Sequence, residues 1–213
     1  RLSLVGSEMC IRDSLRLTQI PLRPAGTPSE PEDEWTLEVS DWTLAGPGSI
    51  TAAAGGALQR LVYLQHSTAV EAGAALDVSL KGHAGSDAVL AHLIGVSGDG
   101  DFGFAADGGT GDDVVAALTR DLSPTGTGSL SLEVRGGDGG DTAAMEAPAD
   151  LQRSGPVVHA IDAGAGTDGC YASAVVAAVG CESRETITSQ FLQILTDLFG
   201  AELSGVWSAP PPT

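Results

Sequence analysis

From Trp35 onward apolar and polar residues alternate one for one in short runs, and clusters of Gly, Asp, Pro or Ser close each run. A period of two puts the apolar side chains on one face of an extended strand, whereas a helix would carry the polar ones into its buried face. The clearest cases are Leu76, Val78 and Leu80 interleaved with Asp77, Ser79 and Lys81, and Leu130, Leu132 and Val134 interleaved with Ser131, Glu133 and Arg135. Segments 35–39, 42–45, 58–64, 89–96, 102–105, 114–118 and 145–151 bring the count of expected strands to about nine. Short strands separated by turn residues, with no helical pattern between them, imply an all-β fold. The expectation is an antiparallel β-sandwich over residues 35–160, of jelly-roll or immunoglobulin-like topology. The Ala-rich runs 51–57 and 143–149 pull the other way, since Ala favours helix over strand.

The N-terminal segment stands apart. Residues 4–13 read LVGSEMCIRD, the translation of a transposon sequencing adapter, so residues 1–14 are expected to be an artefact of that origin. Residues 15–34 then read as a strand remnant followed by a linker rich in Pro and Glu, and both ends of the chain read as cut. Without Cys10 two cysteines remain, Cys170 and Cys181, which suit either one disulfide in an oxidising compartment or two buried thiols. The formal charge is −18, and the first 23 residues hold four arginines against Glu8 and Asp13. So acidic a surface repels phosphate backbones, which argues against nucleic-acid binding. No apolar run reaches the roughly 18 residues of a membrane span, and 42% hydrophobic residues are enough for a core.

No catalytic signature emerges. Gly95-Val96-Ser97-Gly98-Asp99 lacks the closing Gly of a nucleophile elbow, and His66, His83, His92 and His159 have no metal-ligand spacing. The local chemistry lies in Gly and Asp clusters. Asp99, Asp101, Asp107, Asp112 and Asp113 fall within fifteen residues and are the candidate ligands for Ca2+, which takes several hard oxygens on flexible backbone. Residues 108–115 and 136–143 both match GGxGxDxU, the calcium-binding β-roll repeat. The two copies are not in tandem, so the favoured reading is that they are hairpin turns, with calcium as the alternative. Trp35 and Trp42 are candidates for stacking on a sugar ring; seven residues apart in one strand they would face opposite sides unless a turn intervenes near Asp41.

After Asp162 the pattern changes. Ile187, Phe191, Ile194, Leu195 and Leu198 recur at helical spacing, Glu182 and Glu185 stand before them and Gly200 follows, which predicts a short amphipathic helix packed on its own domain. Residues 161–213 are therefore expected to be the start of a second module. Asp162 to Thr167 (DAGAGT), Cys181, residues 191–199 (FLQILTDLF), Gly200 and the Gly205-Val206-Trp207-Ser208 turn follow one another in an order that resembles extracellular repeat modules of Bacteroidetes surface proteins associated with gliding motility and type IX secretion. Ser204 and Cys170 depart from that pattern. The resemblance implies a module of a large multi-domain adhesin at the cell surface. The expected function is thus a non-enzymatic structural or adhesive module of a secreted or cell-surface protein, with surface glycans or other surface proteins as partners. The alternative is a carbohydrate-binding module of a secreted glycan-active enzyme.

Overall fold

The structure is a computed structural model that describes residues 2–6, 15–22, 32–53, 59–122, 125–189, 191–193 and 195. Its strands begin with β1 (Leu2–Gly6), β2 (Leu15–Leu22), β3 (Glu32–Ser40), β4 (Thr43–Leu44), β5 (Pro47–Ala53), β6 (Gln59–His66) and β7 (Ala69–Val70). They continue with β8 (Ala75–Ala84), β9 (Ala88–Ile94), β10 (Asp101–Thr110), β11 (Val114–Arg120), β12 (Thr125–Gly126) and β13 (Leu130–Gly139). The last are β14 (Thr142–Met145), β15 (Gln152–Arg153), β16 (Val157–Gly166), β17 (Gly169–Ala172), β18 (Ala177–Val179) and β19 (Ser183–Glu185). Of the adapter-like segment 1–14, residues 2–6 are described as β1, whereas residues 1 and 7–14, residues 23–31 of the linker and the end from 196 to 213, with the Gly205–Ser208 turn, lie outside the described residues.

The strands form a parallel β-solenoid, which corrects the expected antiparallel sandwich. One sheet, A, runs β1-β5-β8-β10-β13-β16-β18, and the other, B, runs β19-β17-β14-β11-β9-β6-β3-β2. Among the described residues only β1 on β5 and β2 on β3 are antiparallel, both at the N-terminal end of the stack. Every Gly/Asp cluster turns the chain from one sheet to the other, and each strand hydrogen-bonds to the strand one coil later. Leu76 thus stands beside Phe102, Phe102 beside Leu130, and Leu130 beside Val157. Alternation reports which face of a strand is buried but not which strand is its neighbour, so the sandwich and the solenoid write the same local pattern.

The interior is a thin slab in which like positions stack coil on coil. Val78, Phe104 and Leu132 line sheet A, and Val89, Val115 and Ala143 face them from sheet B. Tyr63 reaches across to stack on Phe104, with ring centroids 6.5 Å apart. Sheet A leaves its other face in water, so its strands alternate cleanly. Sheet B is buried on both faces, which is why 88–94 and 114–120 read as almost unbroken apolar runs. A second core cluster forms on its outer face, where Phe191 and Leu195 pack over Val62, Leu90, Ala116, Leu118 and Ala144. Helical turns occur at 191–193, and the Thr188 hydroxyl accepts the Phe191 N–H at 3.2 Å as an N-cap. The first three residues of the Ala-rich run 143–149 enter the fold in strand β14, whose Ala143 faces the slab and Ala144 faces Phe191, and the rest of the run lies outside any strand.

The solenoid also crosses the expected domain boundary at residue 160. β16 spans it and pairs with β13 and β18, and β17 pairs with β14 and β19. Cys170 and Cys181 are joined by a disulfide, Cα to Cα 5.8 Å, which closes the last coil.

Candidate functional site

The most regular polar feature sits where sheet A hands the chain to sheet B. The turn has the same form in four coils: Gly82 to Asp87, Gly108 to Asp113, Gly136 to Asp141, and Ala163 to Asp168. In each a Gly-rich bend is followed by an Asp immediately before the sheet B strand. Asp87, Asp113, Asp141 and Asp168 lie in register, separated along the chain by 26, 28 and 27 residues. Three of the carboxylates reach back one coil, while Asp87 accepts the His83 N–H of its own turn. The Asp87 N–H donates to Asp113 Oδ1 at 2.7 Å, the Asp113 N–H to Asp141 Oδ1 at 2.9 Å, and the Asp141 N–H to Asp168 Oδ1 at 2.8 Å. The Asp168 N–H in turn donates to Glu182, which precedes the next strand. All four Asp side chains are buried.

Glycine is required here by close approach. The Gly137 φ is +118°, and a Cβ at Gly137 would collide with the Gly109 carbonyl oxygen of the preceding coil. The two GGxGxDxU matches are therefore successive members of one stack. A repeat search at a period of 26 to 28 residues would have shown all four; a search for tandem nine-residue repeats does not.

The five expected calcium ligands are dispersed. Asp99 and Asp101 stand at the start of β10, where they accept the N–H groups of Thr127 and Ser129 at 3.1 and 2.7 Å. The Ser129 N–H and hydroxyl together hold the Asp101 carboxyl below its usual range. Asp107 lies on the outer face of sheet A between Lys81 and Arg135 of the adjacent strands. Asp112 and Asp113 lie beyond the far end of β10, where Asp112 accepts the Gly140 N–H at 2.8 Å. Ten residues of strand, roughly 30 Å, separate the two ends, so no single ion bridges them. Asp113 has one oxygen engaged and the other enclosed. Among the described residues no group of three or more His, Cys, Asp or Glu side chains is placed to hold a metal ion.

The turn at Asp41 does intervene, with φ +56°, and it carries Trp42 into the slab at 2% exposure. Trp42 is a core residue, and a ring so enclosed has no face to offer a sugar. Trp35 lies in β3, and its side chain is outside the described residues. The Ser97 hydroxyl donates to the Thr68 carbonyl at 3.4 Å, at a corner of the coil. His92 and His159 are buried, and burial holds both imidazoles below their ordinary value, His92 down to about 4.

The opposite corner has its own coil-to-coil tie. The Arg153 guanidinium donates to the carbonyls of Gly98, Gly100 and Gly128, each at 3.2 Å, spanning three coils. The outer face of sheet A is left as a flat, open surface. Lys81, Asp107, Arg135 and Asp162 form one row across four strands, alternating in sign. No helix among the described residues is long and apolar enough to cross a membrane. No protein-family model matches the chain, nor does any of the curated proteins or solved structures with which it was compared.

Proposed function

We propose that this chain is a non-enzymatic structural and adhesive module, a stiff segment that presents a flat periodic face to a partner at a cell surface. The observation that carries this reading is how its polar side chains are used. The repeated Asp of the coils, and Arg153 at the other corner, bond the backbone of neighbouring coils, and among the described residues these groups do not converge on a substrate. What faces outward is the alternating row of Lys81, Asp107, Arg135 and Asp162, with neighbours one strand apart, about 4.8 Å. Such a row suits a partner with regularly spaced charges, as surface glycans and surface proteins carry. The disulfide supports an oxidising, extracellular location.

The test is retention under flow of beads coated with the full chain, on surfaces bearing sulfated or sialylated glycans, surface proteins or albumin. Retention on a glycan or protein surface above albumin is expected, with loss of most of it in Lys81→Glu/Arg135→Glu. Both positions are exposed, but each reversal sets like charges side by side in the row and the second also breaks the Arg135–Glu133 ion pair, so each should lower stability by about 1 kcal/mol, read separately by a thermal melt. Equal retention on all surfaces, or release of sugar from the glycan by the soluble chain, would overturn the reading.

A further inference from the structure

The turn from sheet A to sheet B repeats a carboxylate without repeating a cation to balance it. Asp113, Asp141 and Asp168 are 1%, 2% and 2% exposed, and the Oδ2 of each has no hydrogen-bond partner. Their Oδ1 atoms are already engaged by backbone N–H groups. The unengaged oxygens are not in open space. Asp113 Oδ2 and the Gly136 carbonyl oxygen both press on the α-carbon of Gly108, 2.6 and 2.5 Å from the place a Cβ would take. Asp141 Oδ2 and the Ala163 carbonyl oxygen crowd Gly136 in the same way. Two acceptors thus crowd the same side of each glycine, where no donor reaches Oδ2, and an ionised carboxylate there lies near a carbonyl dipole and within the field of the next carboxylate in the stack. A proton on Oδ2 turns that repulsion into a hydrogen bond.

We propose that Asp113 and Asp141 hold protons in mildly acidic surroundings, each donating from Oδ2 to the carbonyl oxygen of the next coil, so that the solenoid is reinforced by acid. The surroundings favour this. Burial, more than any charge, pushes the Asp113 carboxyl up to about 6 and moves Asp141 in the same direction. Every charge acting on the two is negative: Asp87, Asp112 and Asp141 on Asp113, and Asp112, Asp138 and Asp168 on Asp141. Glu182 closes the stack at one end and His83, whose backbone N–H donates to Asp87, flanks it at the other.

The direction follows from proton binding. Groups whose folded pKa lies above the unfolded value bind more protons in the folded state, so stability falls as pH rises from about 4 through about 6 and is regained on acidification. Folded carboxylates that are paired or hydrogen-bonded give the opposite trend.

Thermal melts of the full chain test this, using the wild type, Asp113→Asn, Asp141→Asn and the double variant from about pH 7.5 to about pH 5. Asn retains the Oδ1 acceptor and puts a permanent donor where Oδ2 stands. The wild-type midpoint is expected to rise by about 5 °C on acidification. The double variant should already melt near that acid value at the upper pH and lose most of the slope. A flat or falling wild-type midpoint, or a double variant with the wild-type slope, would overturn the proposal. So would an equal rise produced at the upper pH by calcium and reversed by chelator, which would make the stack a cation site. Carboxyl-carbon NMR of the wild type gives a readout that needs no variant: Asp113 titrating near 6, with Asp141 displaced upward beside it, supports the ladder, and no aspartate above about 4.5 refutes it.

Discussion

Gly137 shows how little room a single residue has in this stack. Its backbone is left-handed at φ +118°, and the Gly109 carbonyl oxygen occupies the space a Cβ needs. Gly137→Ala should therefore lower stability in urea denaturation by about 3 kcal/mol, combining backbone strain with displacement of a neighbouring coil. Gly73 is a control. Its φ of +81° is also left-handed but nothing lies within 4 Å of the added carbon, so Gly73→Ala should lose only about 1 kcal/mol. At this scale the sequence was informative about chemistry and silent about geometry. The clustering of Gly with Asp marked where the chain bends, but the bends are corners between two sheets and not the expected hairpin turns. It did not reveal that Asp113 and Asp141 are buried, because burial there comes from the coil above and the coil below. Trp42 is similar: its fate turned on the bend at Asp41, which a spacing of seven cannot specify.

Among the elements, sheet B depends on a cover supplied from outside the coils. Phe191 is 3% exposed, stacks on Tyr171 with centroids 4.0 Å apart, and packs over the outer face of the sheet. Phe191→Ala should destabilise the fold by about 3 kcal/mol and raise binding of an apolar dye, as the face of Leu90 and Leu118 becomes accessible. Ser189→Ala, at an exposed position in the same helical turn, should change stability by no more than about 0.5 kcal/mol. The helical spacing of Ile187, Phe191 and Leu195 was readable, and residues 89–96 and 114–118 were readable as strands. What joined the two was not, since nothing local says that one apolar face belongs on the other. The disulfide secures the coil next to this cover. Cross-linking over a separation of 11 residues contributes about 3 kcal/mol in the chain-entropy picture.

Taken whole, the molecule is a stack in which each coil bonds mainly to the next, and this makes its length adjustable in units of one coil. Deleting residues 114–141 removes one complete turn and rejoins Asp113 to Thr142 in the same frame of sheets, turns and Asp register. That variant is expected to melt cooperatively with the same far-ultraviolet signature per residue. Deleting only 114–127 would send the following sheet A strand into sheet B and invert the order of the turns, and it should yield no cooperative transition in the same melt. By itself the sequence determined that much of the chain forms strands, which face of β8 and of β13 is buried, where the Gly and Asp bends fall, and that the surface is strongly acidic. These follow from period two, from turn chemistry and from charge, all properties of a few adjacent residues. Tertiary structure alone decided that the strands pair in parallel, that four Asp residues some 27 apart become one buried column, and that the two cysteines meet. Each of these joins residues one or more coils apart, and a local alternation is equally satisfied by a neighbour from the same hairpin or from the next turn of a solenoid.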